Sequence, residues 1–278
     1  MSAPPQQIAP APQGSALRPC PDCGGKDLVA LPRCSRDEWQ VCRCGDCGFV
    51  FLGNPIEYAA LEEDFAWETT FWAEDARRAG ARGPLRRLAA RVRGLGYRLR
   101  GDGIMRRYHR LLGPGRILDI GCGDVVRFDA PFVPHGIELS RALAAKADAI
   151  MRARGGECLQ GPGAERIFDW PEGYFDSVMM HSYLEHETDY PRLLAGCLRA
   201  LRPGGRAFIR VPNFAALNRM ASGNRWAGFR YPDHVNYFTP ATLRRAVERA
   251  GFHFKLVNRH KIWLDDNIQA LAIKPAQT

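Results

Sequence analysis

The chain has no run of about 18 apolar residues, so it offers no helix that could span a membrane. Its opening stretch, MSAPPQQIAPAPQGSALRP, holds five prolines and one charge, and no apolar core follows a basic start. That pattern is not a signal peptide. It reads as a disordered tail, and the expected location is the cytoplasm. Lysine is scarce, five among 39 basic residues, so the formal charge of +9 is an arginine charge. Acids are missing from one region in particular. Residues 77–110 hold twelve arginines, no lysine and one acid, Asp102. That segment more than accounts for the excess, so the basic character belongs to one stretch and not to the whole surface.

What is present is ordinary in bulk. Apolar residues make up 46% and charged residues 25% of 278 positions, enough to bury a full core. The length suits one large domain, or one with a small module. Cysteine is the exception. Six of the nine fall between Cys20 and Cys47, and Cys122, Cys158 and Cys197 are scattered. Clustering without a secretory signal favours a metal over disulfides.

CPDCGG (Cys20, Cys23) and CGDCGF (Cys44, Cys47) are two copies of one device, each C-x-x-C followed by glycine. Two thiolates at this spacing can hold one metal from a tight turn, and the glycine lets the backbone fold under the sulfurs. The twenty residues between the turns match the usage of a zinc ribbon. Four thiolates leave no open position for a water or substrate, so the zinc is expected to be structural. Cys34 and Cys42 are spare; Cys42 could compete as a ligand but lacks the turn. EWQVCRC and GFVFL read as strands of the module.

Between ribbon and main domain, apolar residues at 85, 88, 92, 95 and 99 form one helical stripe with arginines on the other faces. This is either a solvated helix packing its stripe on the main domain, or a surface for a polyanion or an anionic membrane.

From about residue 104 strands and helices alternate: RILDI (116–120), HGIEL (135–139), a helix from Ser140, GECLQ (156–160), YFDSVMMH (174–181), a helix closed by Pro-Gly-Gly, RAFIRVP (206–212), a capped helix over 239–251, then FKLVN and IQALAIK. The pattern predicts an α/β fold with a doubly wound, Rossmann-like sheet, ligands sitting beyond the carboxyl ends of its strands. Asp119, Gly121 and Gly123 end the first strand, and Glu138 ends the second nineteen residues after Asp119. Glycines there admit a ligand to the backbone, and the acid can accept two ribose hydroxyls. Val125 and two prolines, Pro131 and Pro134, interrupt what should be the following helix, so a short or irregular segment is expected at 124–134.

LDIGCG (118–123), GIELS (136–140), GYFDSVMMHSYLEH (173–186), LRALRPGG (198–205) and HVNYFTPATLRRAVERAGF (234–252) come in order. With them the chain resembles class I S-adenosylmethionine-dependent methyltransferases over roughly 104–274. Its N-terminal part is similar to the ribbon preceding that domain in bacterial enzymes acting on sugars, glycans or other small molecules. The resemblance implies a seven-stranded methyltransferase sheet and this organisation: tail 1–17, zinc ribbon 18–55, helical arginine-rich connector 56–103, methyltransferase domain 104–278. It also implies that Asp119, Gly121, Cys122 and Gly123 line the methionine part of S-adenosylmethionine. Glu138 would bind the ribose and Leu139 the adenine. Ala164 and Glu165 belong to the family's D-A-E stretch, whose aspartate is Gly163 here. His181 and Ser182 would border the transferred methyl.

A sulfonium methyl is already electrophilic, so such an enzyme must align the acceptor and remove a proton from a hydroxyl. His234, following a 21-residue insertion suited to a lid, is the first candidate base; His181, Tyr183 and Tyr237 are others. His186 is read as a loop-holding residue at a helix entry. Arg219, Arg225 and Arg230 either bind an anionic group on the acceptor or are solvated. The leading function is methyl transfer to a small-molecule, sugar or glycan acceptor. An RNA methyltransferase gripping RNA with ribbon and arginine helix is the alternative, and a non-catalytic binding module is the third.

Overall fold

The computed structural model describes residues 17–55 and 103–276. The helix expected at 85–99 lies outside them, with nearly all of the tail and connector.

The cysteine module is a small antiparallel sheet of β1 (Leu28–Ala30), β2 (Val41–Cys44) and β3 (Val50–Leu52). Side chains alternate across β3 and both faces are covered. Phe49 and Phe51 enter the main core, whereas Val50 and Leu52 enter a second cluster with Trp39, Trp226 and Phe229. The fourth strand of this sheet, β9 (Asn236–Tyr237), comes from nearly two hundred residues later and pairs with β3, Val50 opposite Tyr237.

The main sheet has seven strands: β4 (Gly115–Ile120), β5 (Phe132–Glu138), β6 (Cys158–Gln160), β7 (Phe175–His181), β8 (Leu201–Pro212), β10 (His253–Leu256) and β11 (Asn267–Ile273). Their order is β10-β11-β8-β7-β4-β5-β6. The β4–β8 ladder is parallel, and β11 runs antiparallel between β8 and β10. The sheet is therefore mixed rather than wholly parallel, because β11 returns along β8 after a short link from β10.

The helices follow their signals. α1 (Gly103–Leu112) precedes β4. In α2 (Arg141–Arg152), Ser140 Oγ accepts from Leu143 N at the N-terminus, and Leu143, Ala144, Ala147 and Met151 form the buried face. α3 (Gly163–Arg166) is a single turn. α4 (Tyr190–Ala200) is capped by Asp189, and α5 (Leu217–Ser222) lies in the insertion after β8. α6 (Pro240–Arg249) carries Thr239 and Thr242 in a reciprocal capping box with proline at its start. The Pro-Gly-Gly expected to stop α4 does not. The helix ends at Ala200, and Leu201–Gly205 already belong to β8, with Lys274 N donating to Gly205 O.

The first crossover has no helix: residues 121–131 join the parallel strands β4 and β5 as a loop. The irregular segment expected at 124–134 is found only as far as 131, since residues 132–134 open β5. Phe128 from the loop is buried with Phe132, Tyr108, Ile117 and Phe208, so the loop and α1 supply the cover that a crossover helix would otherwise give.

Candidate active site and metal centre

The Sγ atoms of Cys20, Cys23, Cys44 and Cys47 all lie within 4.8 Å of one another. Two of the edges are 3.6 Å (Cys20–Cys47) and 3.5 Å (Cys23–Cys44). A tetrahedron of sulfurs about 2.3 Å from a zinc ion has edges of about 3.8 Å, so the four thiols fit that ion. Backbone N–H groups of Asp22 and Cys23 point at Cys20 Sγ, and those of Asp46 and Cys47 at Cys44 Sγ. Such donors stabilise thiolates bound to a metal. Gly25 is required by space: a Cβ there would stand 3.2 Å from Cys23 Sγ and from Cys44 Sγ. Cys34 and Cys42 are buried apart from this cluster.

The module is tied to the main domain by polar contacts. Asp22, between the first two cysteines, accepts from Tyr190 Oη at 3.0 Å and pairs with Arg245 at 2.6 Å; Arg249 also bonds its carbonyl. Arg18 donates to Leu52 O, Val235 O and Thr188 O, which joins β3, the start of β9 and the loop after β7.

At the carboxyl ends of β4 and β5 the expected glycine turn is present. Gly121 and Gly123 have φ of +72° and +63°, a region open to glycine at little cost. Glu138 Oε2 accepts from Gly123 N at 2.9 Å and Oε1 from Ser140 N at 3.0 Å, so the acid fixes the turn. Asp119 is buried and its Oδ2 lies 2.8 Å from Arg127 Nη1. Burial pushes its carboxyl up to about 6 against the pull of Arg127, and the charge of Glu138 adds to the rise. Nothing lies within 4 Å of a Cβ placed on Gly123. Open backbone beside two converging acids fits a ligand with a ribose and an ammonium group, as S-adenosylmethionine has.

Tyr183 leaves no room for a side chain at Gly163. Gly163 N donates to Tyr183 Oη at 3.0 Å, and that hydroxyl bonds Glu187 Oε2 at 3.2 Å. A Cβ on Gly163 would meet Tyr183 Oη at 2.6 Å, and one on Gly121 would meet Tyr183 Cδ2 at 2.5 Å. The tyrosine links the turn after β4 to the loop after β6 and fills the room an aspartate would need. Glu165 is exposed, while Ala164 is buried and its carbonyl accepts from Arg192 at 3.1 Å. Leu139 O accepts from Gln160 Nε2 at 2.9 Å, and Cys122 is buried 3.7 Å from Cys158.

Beyond the ends of β7 and β8 lies a cavity of about 320 Å³. Ser182, Glu185 and His186 line it from the loop after β7, Trp226, Arg230 and His234 from the insertion, and Asp266 and Asn267 from the start of β11. His234 is buried, its Nδ1 lies 2.9 Å from Gly228 O, and its ring meets His186 edge-on at 4.6 Å. Glu185 is buried at 1% exposure and its Oε2 has no hydrogen-bond partner. Burial pushes its carboxyl up to about 8, although Arg210 and Arg230 oppose the shift. Burial and Arg230 lower His186 to about 3. Both rings are held by backbone: His234 at Gly228, His186 at Asp233. A divalent cation could bridge Glu185, His186 and His234, whose ligand atoms lie within 4.8 Å of one another. Two arginines, Arg210 and Arg230, act on the same carboxyl and disfavour a cation there.

The other candidates fall elsewhere. His181 ends β7 with its ring edge-on to Tyr108 and does not line the cavity; burial, Arg210 and Arg127 lower it to about 4. Tyr237 is buried in β9 against Phe229, also off the cavity. Ser182 has φ of +59°, and its Oγ accepts from Arg210 at 2.6 Å. Arg230 pairs with Asp233 at 2.7 Å, Arg219 lies over Phe214 and Arg225 is exposed. Sequence reading missed Glu185, Arg127 and Arg210, and it named Tyr183 only as a candidate at a strand end, not as the link between two loops. Only Glu185 had a local signal, the LEH after the fourth strand of the alternating pattern.

A family model described as a methyltransferase domain matches residues 92–255, more than half of the chain. Two ubiquinone biosynthesis O-methyltransferases are similar. That of Nitrosococcus oceani is 28% identical over 193 residues, 60% of this chain and 79% of the relative. That of Xylella fastidiosa is 26% identical over 187 residues, 59% of this chain and 76% of the relative. An S-adenosylmethionine-dependent methyltransferase of Archaeoglobus fulgidus superposes with a TM-score of 0.50 at 19% identity, covering 62% of this chain and 92% of that one; it shows the fold alone. Strand order and family match define a class I S-adenosylmethionine-dependent methyltransferase. The chain belongs to the methyltransferase domain family.

Proposed function

We propose that the protein transfers a methyl group to a hydroxyl on a small ring compound, a sugar or glycan unit or an aromatic one, bound in the cavity after β7 and β8. One observation carries this reading: Glu185, His186 and His234 converge on a cavity beyond the carboxyl ends of β7 and β8, on the same edge of the sheet as the glycine turn after β4. The names of the relatives, O-methyltransferases, support oxygen as the acceptor atom. Bound S-adenosylmethionine supplies an activated sulfonium methyl.

The residues of the chain do the rest. Trp226 forms part of the apolar wall, and Asp266 and Asn267 offer polar atoms to the acceptor's substituents. His234, oriented through Nδ1 by Gly228 O, takes the hydroxyl proton at Nε2. Glu185, held protonated at neutral pH by burial, faces the site as a hydrogen-bond donor. Asp119, Gly121, Cys122, Gly123, Glu138, Leu139, Ala164 and Ser182 are the proposed cofactor contacts. Cys20, Cys23, Cys44 and Cys47 hold a structural zinc. The test is transfer from labelled cofactor to a panel of hydroxylated ring compounds. His234→Ala lowers kcat by about 10²–10⁴-fold with cofactor affinity intact. Unchanged kcat in that variant removes His234 as the base.

A further inference from the structure

Four large apolar side chains stand in the open on two neighbouring segments. Trp263 and Leu264, between β10 and β11, are 62% and 77% exposed; Leu217 and Met220, on α5, are 47% and 58% exposed. Leu217 N donates to Trp263 O at 3.0 Å, and Asn218 Nδ2 grips the Asp266 carboxylate at 2.8 and 3.0 Å. The segments therefore form one surface. Exposed large apolar groups gathered in one place mark an interaction face.

The charged groups around them are mainly basic. Arg225 lies just after α5, and Arg259 and Lys261 lie just before Trp263, whereas Arg219 on α5 turns in over Phe214. The two acids nearby are drawn into local bonds: Asp265 with Asn258, Asn267 and Lys261, the last at 3.3 Å, and Asp266 with Asn218. We propose that this face docks on an anionic lipid surface, with Trp263, Leu264, Leu217 and Met220 entering the interface and the basic rim meeting the head groups. Tryptophan and aliphatic side chains ringed by arginine and lysine are the composition such a surface rewards. The leucine-striped stretch at 85–99 is a poorer occupant, since residues 77–110 carry twelve arginines and would bring like charge to a basic rim. A second copy placed symmetrically meets the same repulsion.

The face also adjoins the cavity. Asp266 and Asn267 follow the patch directly and line the cavity, as does Trp226 just beyond α5. Docking would bring the cavity wall to the bilayer, where a lipid-borne acceptor presents its head group. That last step rests on the proposed function; the docking does not.

The test is sedimentation of the full chain with phosphatidylcholine vesicles that contain, or lack, phosphatidylglycerol. Binding to the anionic vesicles that weakens with salt is expected, and Trp263→Ser with Leu264→Ser should lower the partition coefficient by about tenfold or more. Cofactor affinity and melting midpoint should match the parent chain, which separates lost docking from lost folding. No binding of the parent chain to anionic vesicles overturns the proposal. Equal binding of parent and variant overturns it too, and assigns any binding to charge elsewhere. A dimer that the double substitution splits overturns it in favour of a second copy. Vesicle binding with no transfer to any acceptor leaves docking intact and sinks the functional reading.

Discussion

Arg127 Nη1 stands 2.8 Å from Asp119 Oδ2, so the loop that replaces the first crossover helix returns a cation to the acid at the strand end. Asp119 is 3% exposed, and burial holds its carboxyl at about 6 even with this partner. Its folded value lies above its unfolded one. The folded state therefore gains no penalty from this group at low pH and loses stability as pH rises toward and through about 6.

Arg127→Ala removes the attraction and leaves the burial. The carboxyl then titrates higher, and the loss of stability grows with pH. The expected melting curves show little difference from the parent at pH 5 and a deficit of about 3 kcal/mol at pH 8, the scale of a buried charge left without its partner. Equal deficits at both pH values would show that Arg127 acts by packing alone.

Tyr183 and Gly163 are expected to be coupled. Gly163→Asp restores the family's usual residue but places its Cβ where Tyr183 Oη stands, 2.6 Å away. Alone it should destabilise, since neither group can move without breaking the bonds to Gly163 N and Glu187. Combined with Tyr183→Ala it should cost less than the sum of the two, with an interaction term of about 1–3 kcal/mol in denaturant unfolding. Additive losses would mean that the two do not compete for space.

These relationships also mark where sequence reading ends. LDIGCG, Glu138 and the two cysteine turns were legible because each is a local pattern whose chemistry depends on a few adjacent residues. The irregular segment before β5 was legible for the same reason, from Val125 and Pro131, whereas Pro134 proves to lie within β5. His234 was found through the insertion before it, and it does line the cavity. Tyr237 was named beside it, yet β9 turns that side chain into a core shared with β3, a pairing across nearly two hundred residues that no local pattern encodes. Arg127, Tyr183 and Arg210 depend on contacts between strand ends, and Pro-Gly-Gly looked like a helix stop because its composition serves a strand bend equally well.

Removing the metal should disturb the cavity as well as the ribbon. β3 lies between the cysteine turns and β9, and Trp226 and Phe229 of the cavity insertion pack on Val41, Val50 and Leu52. The parent chain should carry one zinc per protein by elemental analysis. Chelation, or Cys47→Ser, should lower the melting midpoint by about 10 °C, which corresponds to a loss of about 3–4 kcal/mol in a domain of this size. Acceptor turnover should fall in parallel, while the cofactor turn at Gly121–Gly123, built on the main sheet, keeps most of its affinity by calorimetry. A chelated protein with normal turnover would separate the ribbon from the cavity.

Glu185 supplies the last expectation. Its folded carboxyl is pushed up to about 8 by burial, well above the ordinary value of 4.5. Between those two values the folded chain keeps a proton that the unfolded chain has lost, so stability should fall as pH rises across this window and level off above it. The slope approaches about 1.4 kcal/mol per pH unit where the proton difference is complete. Glu185→Gln mimics the protonated form and cannot ionise. Its stability should match the parent near pH 5 and exceed it near pH 8, and turnover at neutral pH should survive, because the protonated acid is the form proposed to face His234. Glu185→Asp, which can ionise but shortens the reach, should keep the pH slope and lose turnover. A glutamine variant that is inactive at pH 7 while fully folded would show that the carboxylate, not the acid, works in the cavity, and would move the proton-accepting role from His234 to Glu185.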